Sequence, residues 1–496
     1  MIEKQIIKTF IVQVFSAICG VAVIKIFATL LSKESMGIFV LIRRLVLFGY
    51  PIFLFNLQTS LSKFISADEQ NSKNYLKATL ITFFVNYGVF IFISIIYRNG
   101  LVNLIFNDNK YKYLLLPLSA YILSVCIYYI TLSYFRGLRK FNYMNLVNLV
   151  FWFISLSTVF LLFLLNVKEN YIISTYFLLF SLLNIVIIGI IYFKFYRNTK
   201  IIYKDYNLII NNRPDVSGFF RYGIFRLPSI FFSAGIFFLP VYFTSKLYGL
   251  VETAVVGLII YIIQVFEIFA SALGLVLLPE FSFRAKKYSE EKVKEDFDKI
   301  FEVSISIFIP LGLFLFLFMK EIVIIIFNSS YLEYENLFRL SGLFVGFYLT
   351  YAICRSILDG LFIKPYTTLV NFIGMITFLV FFLLLKDLKF YGNIYSFIVT
   401  IIILFISTLT ILKLKLKSYS ISYYYLIILI WEFLVFILFY IILKNLNLNK
   451  YILLIKIAMS IVVLWMTFAL YKKLNLYWIN RLCKSNIFNL FLSIKR

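Results

Sequence analysis

Apolar residues along this chain come in long unbroken runs, not in the alternation of a half-buried strand or the stripe of a soluble helix. Stretches such as 172–191 and 423–443 are almost continuously apolar. A strand of a transmembrane β-barrel would show about ten residues of alternating character, so the pattern predicts hydrophobic helices. Bounding each run by charges or turn residues places helices near 9–31, 38–61, 77–97, 113–134, 144–166 and 172–193. Further helices are expected near 217–245, 253–278, 301–327, 337–358, 366–385, 393–412, 421–443 and 451–471. One helical crossing takes about 20 residues, and every run reaches that length. The predicted fold class is an all-α polytopic membrane protein with about 14 transmembrane helices. The first run starts close to Met1 without a small-residue cleavage site, so it reads as a retained helix and not a signal peptide.

Composition agrees. Of 496 residues, 62% are apolar and 14% charged, against roughly 25% charged in a soluble domain, and mean hydropathy is +0.94. Lys and Arg number 48 against 23 Asp and Glu, a net charge of +25. In a soluble protein that excess would point to nucleic acid. Here cationic loops that orient helices and meet anionic headgroups account for it, and no nucleic-acid partner is expected. The loops 62–77, 135–143, 194–221, 279–300, 359–365 and 413–420, with both termini, carry roughly three times the Lys and Arg of the intervening loops. That bias predicts cytoplasmic termini and an even helix count.

The long loop 194–216 leaves six spans before it and eight after. Spans one and seven both start on the cytoplasmic side, as a parallel repeat requires. Leu31-Ser-Lys-Glu-Ser-Met-Gly37 joins the first span pair, as 247–257 joins the seventh and eighth, and their second helices close with Lys63-Phe-Ile-Ser66 and Pro279-Glu-Phe-Ser282. The expected organisation is an N-lobe at 1–213, a C-lobe at 214–420, an appended pair at 421–471 and a cytoplasmic amphipathic tail at 472–496. In the tail, Leu476, Ile479, Leu482, Ile487, Leu490, Phe491 and Ile494 fall near helical spacing among Lys and Arg; a frayed basic tail is the alternative.

Chemistry-bearing motifs are few. No phosphate-binding G-x-x-x-x-G-K-[ST] loop, H-E-x-x-H or G-x-S-x-G is present. His is absent, and Cys19, Cys126, Cys354 and Cys483 are scattered, so no metal, disulfide framework or cofactor is expected. With no large loop on either side, a transporter is expected instead of an enzyme. Charges within spans are then the informative residues, because each is costly there. They are Lys25, Arg43, Arg44, Arg226, Glu267, Arg355, Glu432 and Lys456. Lys25 and Arg43 could snorkel to the outer interface, and Arg226 and Arg355 to the inner one. Arg43 and Arg44, about 100° apart on one helix, cannot both face lipid cheaply. Glu267 is too short to snorkel and follows Gln264 on one helical face, which marks the two as ion-coupling candidates; a neutral Glu267 holding helices together is the alternative. Lys25, Arg43, Arg44, Arg226 and Arg355 are candidates for an anionic substrate carrying phosphate. Pro228, Pro240, Pro279 and Pro310 could serve as bending points.

Several motifs carry a resemblance. Lys25-Ile-Phe-Ala-Thr-Leu-Leu-Ser-Lys-Glu-Ser-Met-Gly-Ile-Phe39 is similar to the first-hairpin signature of bacterial polysaccharide flippases (O-antigen or capsule repeat-unit flippases) of the MOP superfamily. Phe135-Arg-Gly-Leu-Arg-Lys-Phe141, Tyr222-Gly-Ile-Phe-Arg-Leu-Pro-Ser229 and Val276-Leu-Leu-Pro-Glu-Phe-Ser282 follow in the same order. The resemblance implies two six-helix lobes around a central cavity, in the MATE-like manner. It also implies movement of undecaprenyl-pyrophosphate-linked oligosaccharide across the inner membrane, driven by an H+ or Na+ gradient. Lys25, Arg43 and Arg44 would receive the pyrophosphate and Arg226 would assist from the second lobe. Membrane lipids and other glycan-assembly membrane proteins would be partners. Phe237-Phe-Leu-Pro-Val-Tyr242 departs from the pattern, since many relatives carry an Asp there, and this leaves Glu267 as the acidic candidate. The rivals are a lipid II flippase, a multidrug/cation antiporter of the same superfamily and, in another class, a membrane glycan polymerase or ligase.

Overall fold

The computed structural model describes residues 2–202, 214–362 and 364–416, together with Ile430, Leu434 and Ile437. The expected spans 421–443 and 451–471, with Glu432 and Lys456, and the amphipathic tail lie outside the described residues. The described elements are helices, with three short 3-10 turns and no strand. They are α1 (Ile2–Leu30), α2 (Lys33–Phe53), α3 (Leu57–Ala67), α4 (Ser72–Ile96), α5 (Arg98–Phe106), α6 (Leu115–Gly137), α7 (Phe141–Leu164) and α8 (Glu169–Ile202). There follow α9 (Val216–Leu247), α10 (Leu250–Lys287), α11 (Glu290–Ile326), α12 (Glu335–Leu343), α13 (Val345–Leu361), α14 (Tyr366–Leu384) and α15 (Lys389–Lys415). Among the described residues, twelve helical segments are long and apolar enough to cross a membrane. They coincide with the first twelve expected spans. Large apolar side chains such as Phe92, Ile95, Phe193 and Leu384 are exposed, as befits a chain whose outer solvent is lipid. This is a multi-pass membrane protein.

Two details differ from the expectation. The second span does not run unbroken over 38–61: α2 stops two residues after Pro51 and α3 restarts at Leu57, with Phe55 and Asn56 left-handed (φ 45° and 56°). Proline removes an amide from the ladder, yet Pro228, Pro240, Pro279 and Pro310 all lie inside unbroken helices. At one of them, the Pro240 carbonyl takes extra donors: buried Asn393 donates its amide to it at 2.7 Å and the Thr244 hydroxyl at 2.8 Å. The 279–300 loop, expected from its sequence to end in a charged helix, is helical over almost its whole length, because its charges of both signs pair. Arg284, buried, donates to Glu280 on its own helix at 2.8 Å and to Asp296 on α11, so α10 and α11 extend towards one another to a turn at 288–289.

The chain divides into two compact units. The first holds residues 1–260, 326–328 and 382–394; the second holds 261–325, 329–381 and the residues from 395 on. In the first, α1 packs on α7, α6 on α8, α3 on α6, and α2 and α3 on α9. Small residues set the closest approaches, as they do where the lipid offers helices no hydrophobic drive to associate. A β-carbon on Gly37 of α2 would lie 1.9 Å from the Leu250 carbonyl oxygen at the start of α10, and one on Gly257 would lie 2.0 Å from Val40 of α2.

Candidate functional site

In the first unit, α2 begins at Ser32, whose hydroxyl accepts the Ser35 amide at 3.3 Å. The Glu169 carboxylate in turn accepts the Ser32 amide at 2.7 Å. The cap and Glu34 in the first turn favour a helix start here. That helix carries Arg43 and Arg44 inward. Arg44 is buried. Arg43 is half-buried, with its guanidinium carbon 5.4 Å from the centroid of Trp152 on α7. Its charge also acts on Tyr121 and Tyr129 of α6 and on Tyr176 of α8. Tyr50, two turns along α2, stacks on Tyr129 with centroids 4.0 Å apart, and Arg136, exposed in the last turn of α6, lies within electrostatic reach of both rings. The interior of this unit is thus an aromatic wall that carries guanidinium charge, with cation–π attraction offsetting part of its desolvation. Lys25 is tethered differently: its ammonium donates to the Phe327 carbonyl at 2.8 Å, beside Asn328, which donates to the Ala28 carbonyl at 3.4 Å.

The break between α2 and α3 creates a second cationic group. Asn56 donates to the Gly223 carbonyl at 3.3 Å, and a β-carbon at Gly223 would fall within about 3 Å of Ser60, Leu57 and Phe55, so α9 lies tightly against the break. Phe64 of α3 then meets Tyr222 of α9 (centroids 6.2 Å apart). The Tyr222 ring lies 3.8 Å from the Lys63 ammonium and 4.7 Å from the Arg226 guanidinium carbon. Both cations are exposed, and among the described residues neither pairs with a carboxylate. Partial burial of the Lys63 amine, and then the Arg226 charge, pull its pKa below the ordinary lysine value.

In the second unit, Gly274 of α10 and Gly360 of α13 let those helices close up: a β-carbon on Gly274 would lie 2.4 Å from the Ser356 hydroxyl, and one on Gly360 would lie 2.6 Å from the Leu278 carbonyl. This approach sets Glu267 against α13. Glu267 lies within electrostatic reach of Tyr348 and Arg355. The Arg355 guanidinium carbon lies 5.8 Å from the centroid of the Tyr351 ring, whose hydroxyl donates to Asn371 of α14 at 2.8 Å. Asp359, one turn beyond Arg355, accepts from Thr367 at 2.8 Å and also acts on Arg355. Gln264 is half-buried one turn before Glu267.

The sequence-derived candidates therefore fall into separate settings. Arg43 and Arg44 occupy the first unit's interior, Lys25 is tied to the segment after α11, and Arg226 joins Lys63 across Tyr222. Arg355, expected at a substrate, instead shares a polar cluster with Glu267, expected at an ion. Lys63, Tyr222, Arg136, Tyr348, Tyr351 and Asn371 were not singled out as site residues. Lys63 and Tyr222 both lay in motifs already picked out, but what joins them is the packing of α9 on the α2–α3 break.

No protein-family model and no curated protein sequence matches the chain. Solved structures do. The lipid II flippase MurJ in an inward closed conformation superposes with a TM-score of 0.66 at 16% identity, covering 94% of this chain and 98% of its own. A multidrug resistance MATE family transporter of the MOP superfamily, in an inward-facing conformation, gives 0.64 at 12% identity, covering 82% and 96%. The Vibrio cholerae MATE transporter VcmN in its bent form gives 0.55 at 12%, covering 84% and 98%. The chain has the all-helical fold shared by these MOP-superfamily transporters and flippases.

Proposed function

We propose that the protein is a flippase for a lipid-linked saccharide, carrying undecaprenyl-pyrophosphate-linked oligosaccharide from the cytoplasmic to the outer leaflet of a bacterial inner membrane. The observation that carries this reading is the Lys63–Tyr222–Arg226 group. Two exposed cations held on one ring repel each other, and a diphosphate bridging them turns that repulsion into two charge-assisted contacts. Arg43 and Arg44, on the helix that leads into α3, continue the positive potential inward. The aromatic wall around Arg43 offers ring faces suited to sugars, and the polyprenyl tail stays in lipid. A cation-binding antiporter would gain nothing from these charges. The likeness to the lipid II flippase covers more of the chain than the likenesses to MATE transporters, which supports a flippase over an antiporter.

In this reading the lobes 1–213 and 214–420 alternate in access, both termini are cytoplasmic, and Glu267 with Gln264 takes the coupling H+ or Na+. Lipid II is the second reading, favoured by that same coverage; its anchor and pyrophosphate are identical, so the cationic residues serve either substrate. The test is complementation in a depletion strain, with accumulated lipid-linked saccharide located by leaflet. Arg43→Ala/Arg44→Ala and Lys63→Ala/Arg226→Ala are each expected to insert normally and trap the saccharide on the cytoplasmic face. Loss of one charge-assisted contact is worth about 1.5–3 kcal/mol, so each double variant should weaken substrate binding at least tenfold. Full export by both well-expressed variants would refute the pyrophosphate assignment. Loss of surface glycan with survival marks a repeat-unit substrate, and lethality marks lipid II.

A further inference from the structure

A groove of about 610 Å³ opens on the outer side of the first unit, lined by Lys73, Leu76, Lys77, Leu80, Phe84 and their neighbours on α4, with Tyr192 and Tyr196 of α8 opposite. Both helices pack on α6. The lining is polarised. Lys73 and Lys77 stand one turn apart in the first turns of α4, both exposed, and the Lys73 ammonium lies 5.1 Å from the Tyr196 ring. Among the described residues neither lysine has a carboxylate partner. Beyond them the lining turns wholly apolar, and Ile81, Phe84 and Val85 are all more than half exposed. From Lys73 to Val85 the helix rises about 18 Å at 1.5 Å per residue, close to one leaflet of a hydrocarbon core about 30 Å thick.

We propose that this groove is a binding site for an anionic phospholipid of the cytoplasmic leaflet. The headgroup phosphate sits on Lys73 and Lys77, and one acyl chain lies along Leu76, Leu80, Phe84 and Val85 between α4 and α8. The proposal rests on the membrane orientation given by the loop charges and is independent of the cargo. Charge and length select the occupant. Two unpaired ammonium groups at the level of an anionic surface attract phosphate. The tyrosine pair suits the headgroup boundary, where one end of the ring is apolar and the other wet. A trough one leaflet deep matches a single acyl chain, whereas a polyprenyl chain is several times longer.

The full-length protein, purified in detergent, is mixed with phosphatidylglycerol or with phosphatidylcholine of the same acyl composition, and bound lipid is counted by native mass spectrometry. Wild type should retain phosphatidylglycerol selectively. Lys73→Gln/Lys77→Gln should weaken that retention about thirtyfold and abolish the selectivity. Leu80→Trp, which fills the trough and leaves both charges in place, should lose the lipid as well. Equal retention of the two lipids by wild type, a comparison that needs no variant, would overturn the proposal. So would unchanged phosphatidylglycerol binding in the lysine variant, or displacement of phosphatidylglycerol by equimolar undecaprenyl phosphate, which would make the groove an entry path for cargo.

Discussion

Gly37 and Gly257 offer a test in which the sequence motif, the packing and a measurable stability meet. Each belongs to a helix pair's opening hairpin, and in the first unit each helix presses on the other's glycine. A carbon placed on Gly37 would sit 1.9 Å from the Leu250 carbonyl oxygen, where a relaxed C···O contact needs about 3.3 Å. The start of α2 and the start of α10 must therefore part by about 1.4 Å for Gly37→Ala, the shortfall from that contact distance. The obstacle is backbone, so no rotamer change relieves it, and overpacking of this kind costs about 1–3 kcal/mol. At on the order of 2 °C per kcal/mol, apparent Tm in detergent should fall by about 2–6 °C at a fixed scan rate. Gly88 is the internal control. It lies within α4 with open space around its α-carbon, so Gly88→Ala gains helix propensity, up to about 1 kcal/mol, and should melt at or above wild type. Gly257→Ala meets a side chain, that of Val40, and pairing it with Val40→Ala should recover part of its loss as a non-additive cycle. If Gly37→Ala melts with Gly88→Ala, the two helix starts do not touch as described.

The remaining predictions concern the polar groups. Glu267 and Arg355 are half-buried and within electrostatic reach of one another, so Glu267→Leu and Arg355→Met should each destabilise the protein by about 1–3 kcal/mol, and the double variant should cost less than the sum; additive losses in thermal melting would show that the two do not compensate one another. Asn393→Ala withdraws one of two side-chain donors to the Pro240 carbonyl, the Thr244 hydroxyl remaining, and should cost about 0.5–1.5 kcal/mol, whereas Asn393→Gln, if it reaches the same carbonyl, should recover part of that. Lys63, with its pKa lowered by partial burial and by Arg226, should be acylated faster near pH 9 in wild type than in Arg226→Met, and inorganic pyrophosphate should protect it; equal rates with no protection would count against the Lys63–Arg226 group as an anion site.

Much of the fold was legible because lipid imposes one demand on every span, a long apolar run that satisfies its own backbone. Residues 77–97 and 366–385 meet it without ambiguity, and α4 and α14 lie there. The α2–α3 break was not legible, because it depends on Asn56 holding a left-handed conformation while it donates to Gly223, a residue far along the chain. Of 279–300 a charged helix at its end was legible, but the extension of α10 to Lys287 was not: its mixed charges look solvated until Arg284 is seen joining Glu280 to Asp296. Charges within the spans were found easily, since each is an exception to its surroundings. Their groupings were not, since Lys63 lay beyond an expected span and Tyr348, Tyr351 and Asn371 carry no charge to mark them.

Those groupings separate two kinds of arginine that a sequence presents alike. Arg355 lies within electrostatic reach of Glu267 and Asp359, beside the Tyr351–Asn371 hydrogen bond, so acids already offset its charge before an anion arrives. Arg226 has a ring beneath it and a lysine beyond, with no acid among the described residues to answer either. An anion gains most where the protein has left like charges unreconciled, because binding then relieves repulsion as well as making contacts. On that argument Lys63 and Arg226 are the stronger candidates for the proposed anion site. Arg355 is better read as part of the polar cluster that Glu267, Tyr351 and Asn371 form in the second unit than as a ligand for phosphate.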